Sequence, residues 1–157
     1  MALTKLNNQS LSAVTSAGLP SGTVLQVVES KYTSDSSTTS NSYQDANKEA
    51  TITPSSASSK ILVMMSGSVR KSSGHVESAV SIRVRRGDTT ITSMNGLAYS
   101  QANQYNQESI SLRYLDTPAT TSAVTYKIQL KSNINGQTVQ LSHDGSLTQI
   151  TLMEIAG

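Results

Sequence analysis

The chain contains no cysteine, no phenylalanine and no tryptophan. Without cysteine there is no disulfide framework, no thiol nucleophile and no thiolate metal site. Without the two largest aromatics, a core must be assembled from Ile, Val, Leu, Met and some of the six Tyr. Charge is scarce as well: charged residues are 14% and the net charge is +2. That is not the basic footprint of a nucleic-acid binder, nor is there an aromatic set on which bases stack. No stretch approaches the ~20 apolar residues of a membrane span. The opening residues lack the apolar run of a signal peptide, so the expected place of synthesis is a cytoplasm, without membrane insertion.

What is present in quantity is Ser, Thr, Asn and Gln. They give an uncharged, hydrogen-bonding surface. At 157 residues the chain has room for one ordinary domain. A domain of this size buries roughly 70% of the surface its unfolded chain exposes. With hydrophobic residues at only 36%, the core is thin and help from neighbouring subunits is plausible.

Residues 1–20 stand apart. Leu3, Leu6, Leu11, Val14 and Leu19 are spaced irregularly among small polar residues, and Gly18 and Pro20 punctuate the end. The segment reads either as a loose terminus or as an arm that docks on a partner. From Gly22 the pattern becomes β. Strands are expected over 23–29, 50–53, 60–70, 79–85, 89–93, 108–115, 123–131, 137–142 and 147–155, with Gly67 as a bulge. Polar loops are expected over 33–47, 71–76 and 94–107. Asn135-Gly136 and Asp144-Gly145 read as hairpin turns, and Gly87-Asp88 turns the chain. About nine strands at this spacing indicate an all-β, antiparallel β-sandwich or jelly roll over residues 21–157.

The faces of the strands carry more. Val124, Tyr126, Ile128 and Leu130 alternate with polar residues, as do Val80, Ile82 and Val84. One face of each is core and the other water. Three strands break the rule. Val24 and Val28 oppose Leu25 and Val27; Ile61, Val63 and Met65 oppose Leu62 and Met64; Ile150 and Leu152 oppose Met153 and Ile155. A strand apolar on both faces must be covered twice, and a two-layer sandwich covers each strand once. Leu25, Val27, Leu62, Met64, Met153 and Ile155 are therefore the expected subunit interface, with cover by loops or the N-terminal segment as the alternative.

Candidate chemistry is sparse. His75 lies in a polar loop and His143 beside Asp144 at a turn, with neither a ligand set nor a nucleophile–base–orienter set around them. No Gly-x-Ser-x-Gly elbow or phosphate-binding glycine loop occurs. The expectation is a non-enzyme with no cofactor and no metal. Arg70, Lys71, Arg83, Arg85, Arg86 and Arg113 form the main basic grouping. Arg83 and Arg85 share a strand face and are candidates for contact with acidic polysaccharide, or for pairing with Glu77, Glu108 or a neighbouring subunit. The Arg86-Gly87-Asp88 tripeptide is explained by the turn alone. Tyr99 and Tyr105, in an Asn/Gln/Ser-rich segment, suit either a sugar or protein ligand or burial at a subunit edge.

Several stretches together resemble the short fibre or appendage proteins of marine and freshwater bacteriophages, cyanophages especially. They are residues 1–6 (MALTKL), 20–28 (PSGTVLQVV), 52–63 (ITPSSASSKILV), 109–131 (SISLRYLDTPATTSAVTYKIQLK) and 150–157 (ITLMEIAG). The resemblance implies a jelly roll like that of the C1q and tumour necrosis factor superfamily, which trimerises through a sheet containing the first and last strands. Such trimers place aromatics at the axis, where this chain offers aliphatics and Met. The resemblance also implies a virion location, with residues 1–20 docked on other tail or capsid proteins and the β domain outward, within reach of a host-surface glycan or protein. The alternatives are a capsid decoration protein built from the same trimer and a free lectin-like module.

Overall fold

The computed structural model describes residues 19–157. Four of the five arm residues singled out above, Leu3, Leu6, Leu11 and Val14, lie outside them; Leu19 is half-buried. Ten strands follow in order: β1 (Val24–Tyr32), β2 (Ser36–Thr38), β3 (Gln44–Ile52), β4 (Lys60–Lys71), β5 (Ser78–Arg86), β6 (Thr89–Ser100), β7 (Asn106–Asp116), β8 (Val124–Ser132), β9 (Val139–Leu141) and β10 (Thr148–Ile155).

The ladders reduce these ten strands to eight rows. β7 pairs with β4 along residues 61–71, filling one side of it. β10 pairs with 60–66 and β9 with 69–71 on the other side. β9 and β10 are therefore one row, interrupted by the excursion 142–147. β1 pairs with β10 and β2 with β9, so they too form one row, interrupted at 33–35. The first sheet runs β1/β2, β10/β9, β4, β7; the second runs β3, β8, β5, β6. With rows numbered along the chain, the orders are 1-8-3-6 and 2-7-4-5. Only the β5–β6 connection stays within one sheet. That is the jelly-roll topology, an antiparallel β-sandwich as the strand spacing predicts.

Between the sheets lies an aliphatic core. Ile61, Val63, Met65, Leu112, Ile150 and Leu152 meet Ile52, Val80, Ile82, Ile128 and Leu130. Tyr126 is the one aromatic buried in it among the described residues. Its hydroxyl donates to Asp116 Oδ2 at 2.8 Å, and Arg86 Nε reaches the same oxygen at 2.7 Å. Burial, then the bond to Asp116 and its charge, hold the Tyr126 hydroxyl far above its ordinary pKa, only partly opposed by Arg86.

Several expectations need correction. The 33–47 loop contains β2 and the first part of β3, whose inward residues Ala46 and Lys48 break any large-apolar alternation. The polar loop over 94–107 shrinks to 101–105, because β6 and β7 extend through sequence that is mostly solvent-facing. Asn135-Gly136 is not a hairpin: the chain there crosses from β8 in one sheet to β9 in the other. Asp144-Gly145 belongs to a short 3-10 turn within the excursion, after which β10 resumes the same row. Val24 and Val28 do not share a face, because a register shift at Leu25 separates them. Val24 is exposed, while Val28 packs on the core.

Gly67 is not a bulge either, since β4 keeps unbroken register with β7 through it. Its need for glycine is close approach. A Cβ there would lie 2.7 Å from Thr148 Oγ1. Thr148 is fully buried and held by Ser142 Oγ at 2.5 Å, so it cannot swing away. Gly67→Ala is expected to cost about 1–3 kcal/mol by overpacking, read as a lower urea midpoint with unchanged slope. An unchanged midpoint would mean that the excursion gives way freely.

Candidate functional site

Residues directly opposite one another in an antiparallel ladder point to the same face of the sheet. On the outer face of the first sheet, Val27 stands opposite Met153, Met153 opposite Leu62, and Leu62 opposite Leu115. One apolar row thus crosses all four strands, about 14 Å at the usual strand spacing. Ile155 and Met64 flank it on the same face, and Leu25 stands in the β1 bulge beside it. The structure brings the expected interface residues together on one side of the molecule. Leu115 completes the row and was missed. Its signal was parity: with Ile110 and Leu112 inward, Leu115 must point out. Val27 is 55% exposed and Leu115 49%, values that leave the band uncovered among the described residues.

The same face becomes polar toward the other end. Lys31, Gln149, Ser66 and Ser111 form the row two residues further on from Glu29, Thr151, Met64 and Arg113. Lys31 Nζ pairs with Glu29 at 2.6 Å, and Gln149 Nε2 donates to Glu29 at 2.5 Å. A shallow depression of about 220 Å³ opens between Met64, Ser111 and Gln149. The face is graded, dry at one end and wet at the other.

The second sheet's outer face is polar throughout. Arg83 stands opposite Gln129 and donates to its Oε1 at 2.7 Å; its guanidinium lies 4.1 Å from the Tyr43 ring centre. Lys131 Nζ approaches the same ring at 5.0 Å, and the Tyr43 hydroxyl donates to Asn95. Burial raises the Tyr43 pKa, partly opposed by Arg83. Arg85 stands opposite Lys127 and pairs with Asp88 at 3.2 Å. Neither arginine pairs with Glu77 or Glu108; the Glu108 carboxylate instead caps the Ala98 amide.

Tyr99 and Tyr105 do not join this pair. Tyr105 stacks on Arg70 at 4.9 Å, and Arg70 lies on the outer side of the first sheet. Tyr99 adjoins Ser100, which pairs with Ser78, five residues and roughly 16 Å along β5 from Arg83. The four candidate ligand residues therefore sit in separate places. The basic grouping disperses too: Lys71 is fully buried, its ammonium donating to the His75 and Ala102 carbonyls. Arg86 turns inward to Asp116, which leaves its tripeptide without a free guanidinium.

The chain matches no family model and no curated protein. Among solved structures it is similar to that of the infectious bursal disease virus Gt strain, with a TM-score of 0.44 and 12% identity over 87% of this chain. It is similar also to the VP2 subviral particle of that virus, with a TM-score of 0.42 and 10% identity over 83% of this chain. In both cases the chain spans 38% of the other's length.

Titratable groups gather where the two row interruptions lie side by side. His143 Nδ1 is 3.5 Å from Asp35 and Nε2 is 3.0 Å from Asp144. Buried Lys48 donates to the Ser34 carbonyl at 2.7 Å; burial lowers its pKa, opposed by Asp35. Among the described residues no three His, Asp or Glu are grouped to hold a metal ion. At the opposite end, fully buried Glu154 accepts from Gln26 Nε2 at 2.6 Å and from the Ser55 amide and hydroxyl at 2.7 Å each.

Proposed function

We propose that the chain is a structural module of a virus particle that works as a homotrimer, the outer face of its first sheet buried against two further copies. The observation that carries the self-association is the apolar row Val27, Met153, Leu62 and Leu115. An open sheet face polar on one side of a sandwich and apolar on the other is what an interface module needs: the second sheet is left for solvent. The first sheet also contains the first and last rows of the described residues, the arrangement that the resembled trimers use. The virion role is supported by the sequence resemblance to phage fibre and appendage proteins, together with a jelly-roll topology that capsid and lectin domains share. In this reading residues 1–20 anchor the trimer to other virion proteins.

The test is native mass by light scattering. The expected mass is three times 16.6 kDa, unchanged on dilution. A mass of one chain at micromolar concentration removes the self-association reading, and a lectin-like single module then takes its place.

A further inference from the structure

We propose that the outer face of the second sheet is a binding site for a carboxylated oligosaccharide, its carboxylate taken by Arg85 and Lys127. The two cations are directly opposite each other on β5 and β8. Like charges in that relation repel, and the acids that pair with them face solvent: Asp88 for Arg85, and Glu49 at 3.3 Å for Lys127. Pairs of that kind contribute little. Arg85 Nε is sealed from solvent and out of a ligand's reach, so a ligand meets the guanidinium at its outer amino groups. A carboxylate laid across the pair would meet the guanidinium fork and a neighbouring ammonium at once.

The lining around the cations selects the class of ligand. Two adjoining depressions of about 310 and 320 Å³ meet at Gly87 and Lys127. The first is lined by Asp45, Asp88 and Gln129 as well as Arg85. Those carboxylates accept hydroxyl donors, so a uronate chain, with free hydroxyls beside each carboxylate, fits better than a nucleic acid, whose backbone offers few, or a sulfated glycan, whose hydroxyls are esterified. Tyr43, with its ring against Arg83 and Lys131, bounds the site on the side away from Gly87. The site lies across the sandwich from the apolar row, so it stands or falls independently of self-association.

The experiment is calorimetric titration of the full chain with an oligogalacturonate of about five units. A neutral malto-oligosaccharide of equal length and a heparin fragment serve as comparisons. Saturable binding of the oligogalacturonate alone is expected. Arg85→Gln and Lys127→Gln should each weaken it by about tenfold or more, the loss of one charge-assisted hydrogen bond. Arg113→Gln, on the other sheet, should leave it unchanged. Both cation variants are surface changes, and thermal melting checks that each is folded; the second stands if the first is not. No binding, equal binding of the neutral sugar, undiminished binding by the folded variants, or tighter binding of heparin would each overturn the proposal.

Discussion

Leu62→Glu is expected to convert the proposed trimer to single chains while leaving the sandwich folded. Leu62 stands in the middle of the apolar row, with Met153 on one side and Leu115 on the other. Its side chain points away from the core, where Ile61 and Val63 hold their places on the other face. In the single chain a glutamate there meets water, at a cost of about 0.5–1 kcal/mol in lost contact with its neighbours. In the proposed trimer three carboxylates would leave water for an apolar interface whose central row holds no cation, Lys60 and Arg113 lying one row to either side. Desolvating an unpaired charge costs several kcal/mol per ion, repeated in each copy, more than a moderate interface can absorb. Light scattering should report one chain, with a urea midpoint close to that of the dissociated parent. Thr125→Glu, on the polar face of the second sheet opposite Thr51, should leave the mass unchanged. A trimer that survives Leu62→Glu would place the interface elsewhere.

The double-faced strands were legible because β4 and β10 keep strict register, so period-two reading assigns every residue. In β1 the same reading failed at Val24, where one bulged residue reverses the alternation. Bulges leave no compositional mark when the bulged residue is a leucine among valines. Lys48 shows another limit. A lysine among polar residues reads as loop, yet Lys48 falls in step with buried Ala46, Ala50 and Ile52 and reaches inward to a backbone carbonyl. Tyr43 and Lys127 were missed as partners of Arg83 and Arg85 because they come from β8 and the approach to β3, 40 residues or more away in sequence. Which strands become neighbours is set by topology, and alternation carries no information about it. The turn signals erred for the same reason: Asn135-Gly136 turns the chain as expected, but toward the opposite sheet.

Glu154→Ala is expected to produce the largest loss of stability among single substitutions away from the apolar core. Alternation alone makes it part of an ordinary last strand, yet it is fully buried at the closing end of the sandwich. Its carboxylate ties three segments together: Gln26 on β1, Ser55 on the β3–β4 connection and β10 itself. Burial pushes its pKa up, but the bonds from Gln26 and Ser55 more than offset this and hold the carboxyl below the usual range. Truncation removes the acceptor of the Ser55 hydroxyl and backbone N–H, while Gln26 Nε2 keeps the Thr53 carbonyl at 2.7 Å, and the loss is about 3 kcal/mol. Glu154→Gln keeps the shape but turns a donor toward donors, so a smaller loss of about 1.5–3 kcal/mol follows. The two forms should also differ in their response to acid. Because the folded pKa lies below the unfolded value of about 4.3, the contribution is fully present above that value and is lost as pH falls through the folded pKa. The gap between the parent and Glu154→Gln in urea midpoint should therefore be widest at pH 7 and narrow below pH 4. A gap that stays constant from pH 7 to pH 3 would show that the loss comes from packing, and that the ionised carboxylate is not what closes this end of the sandwich.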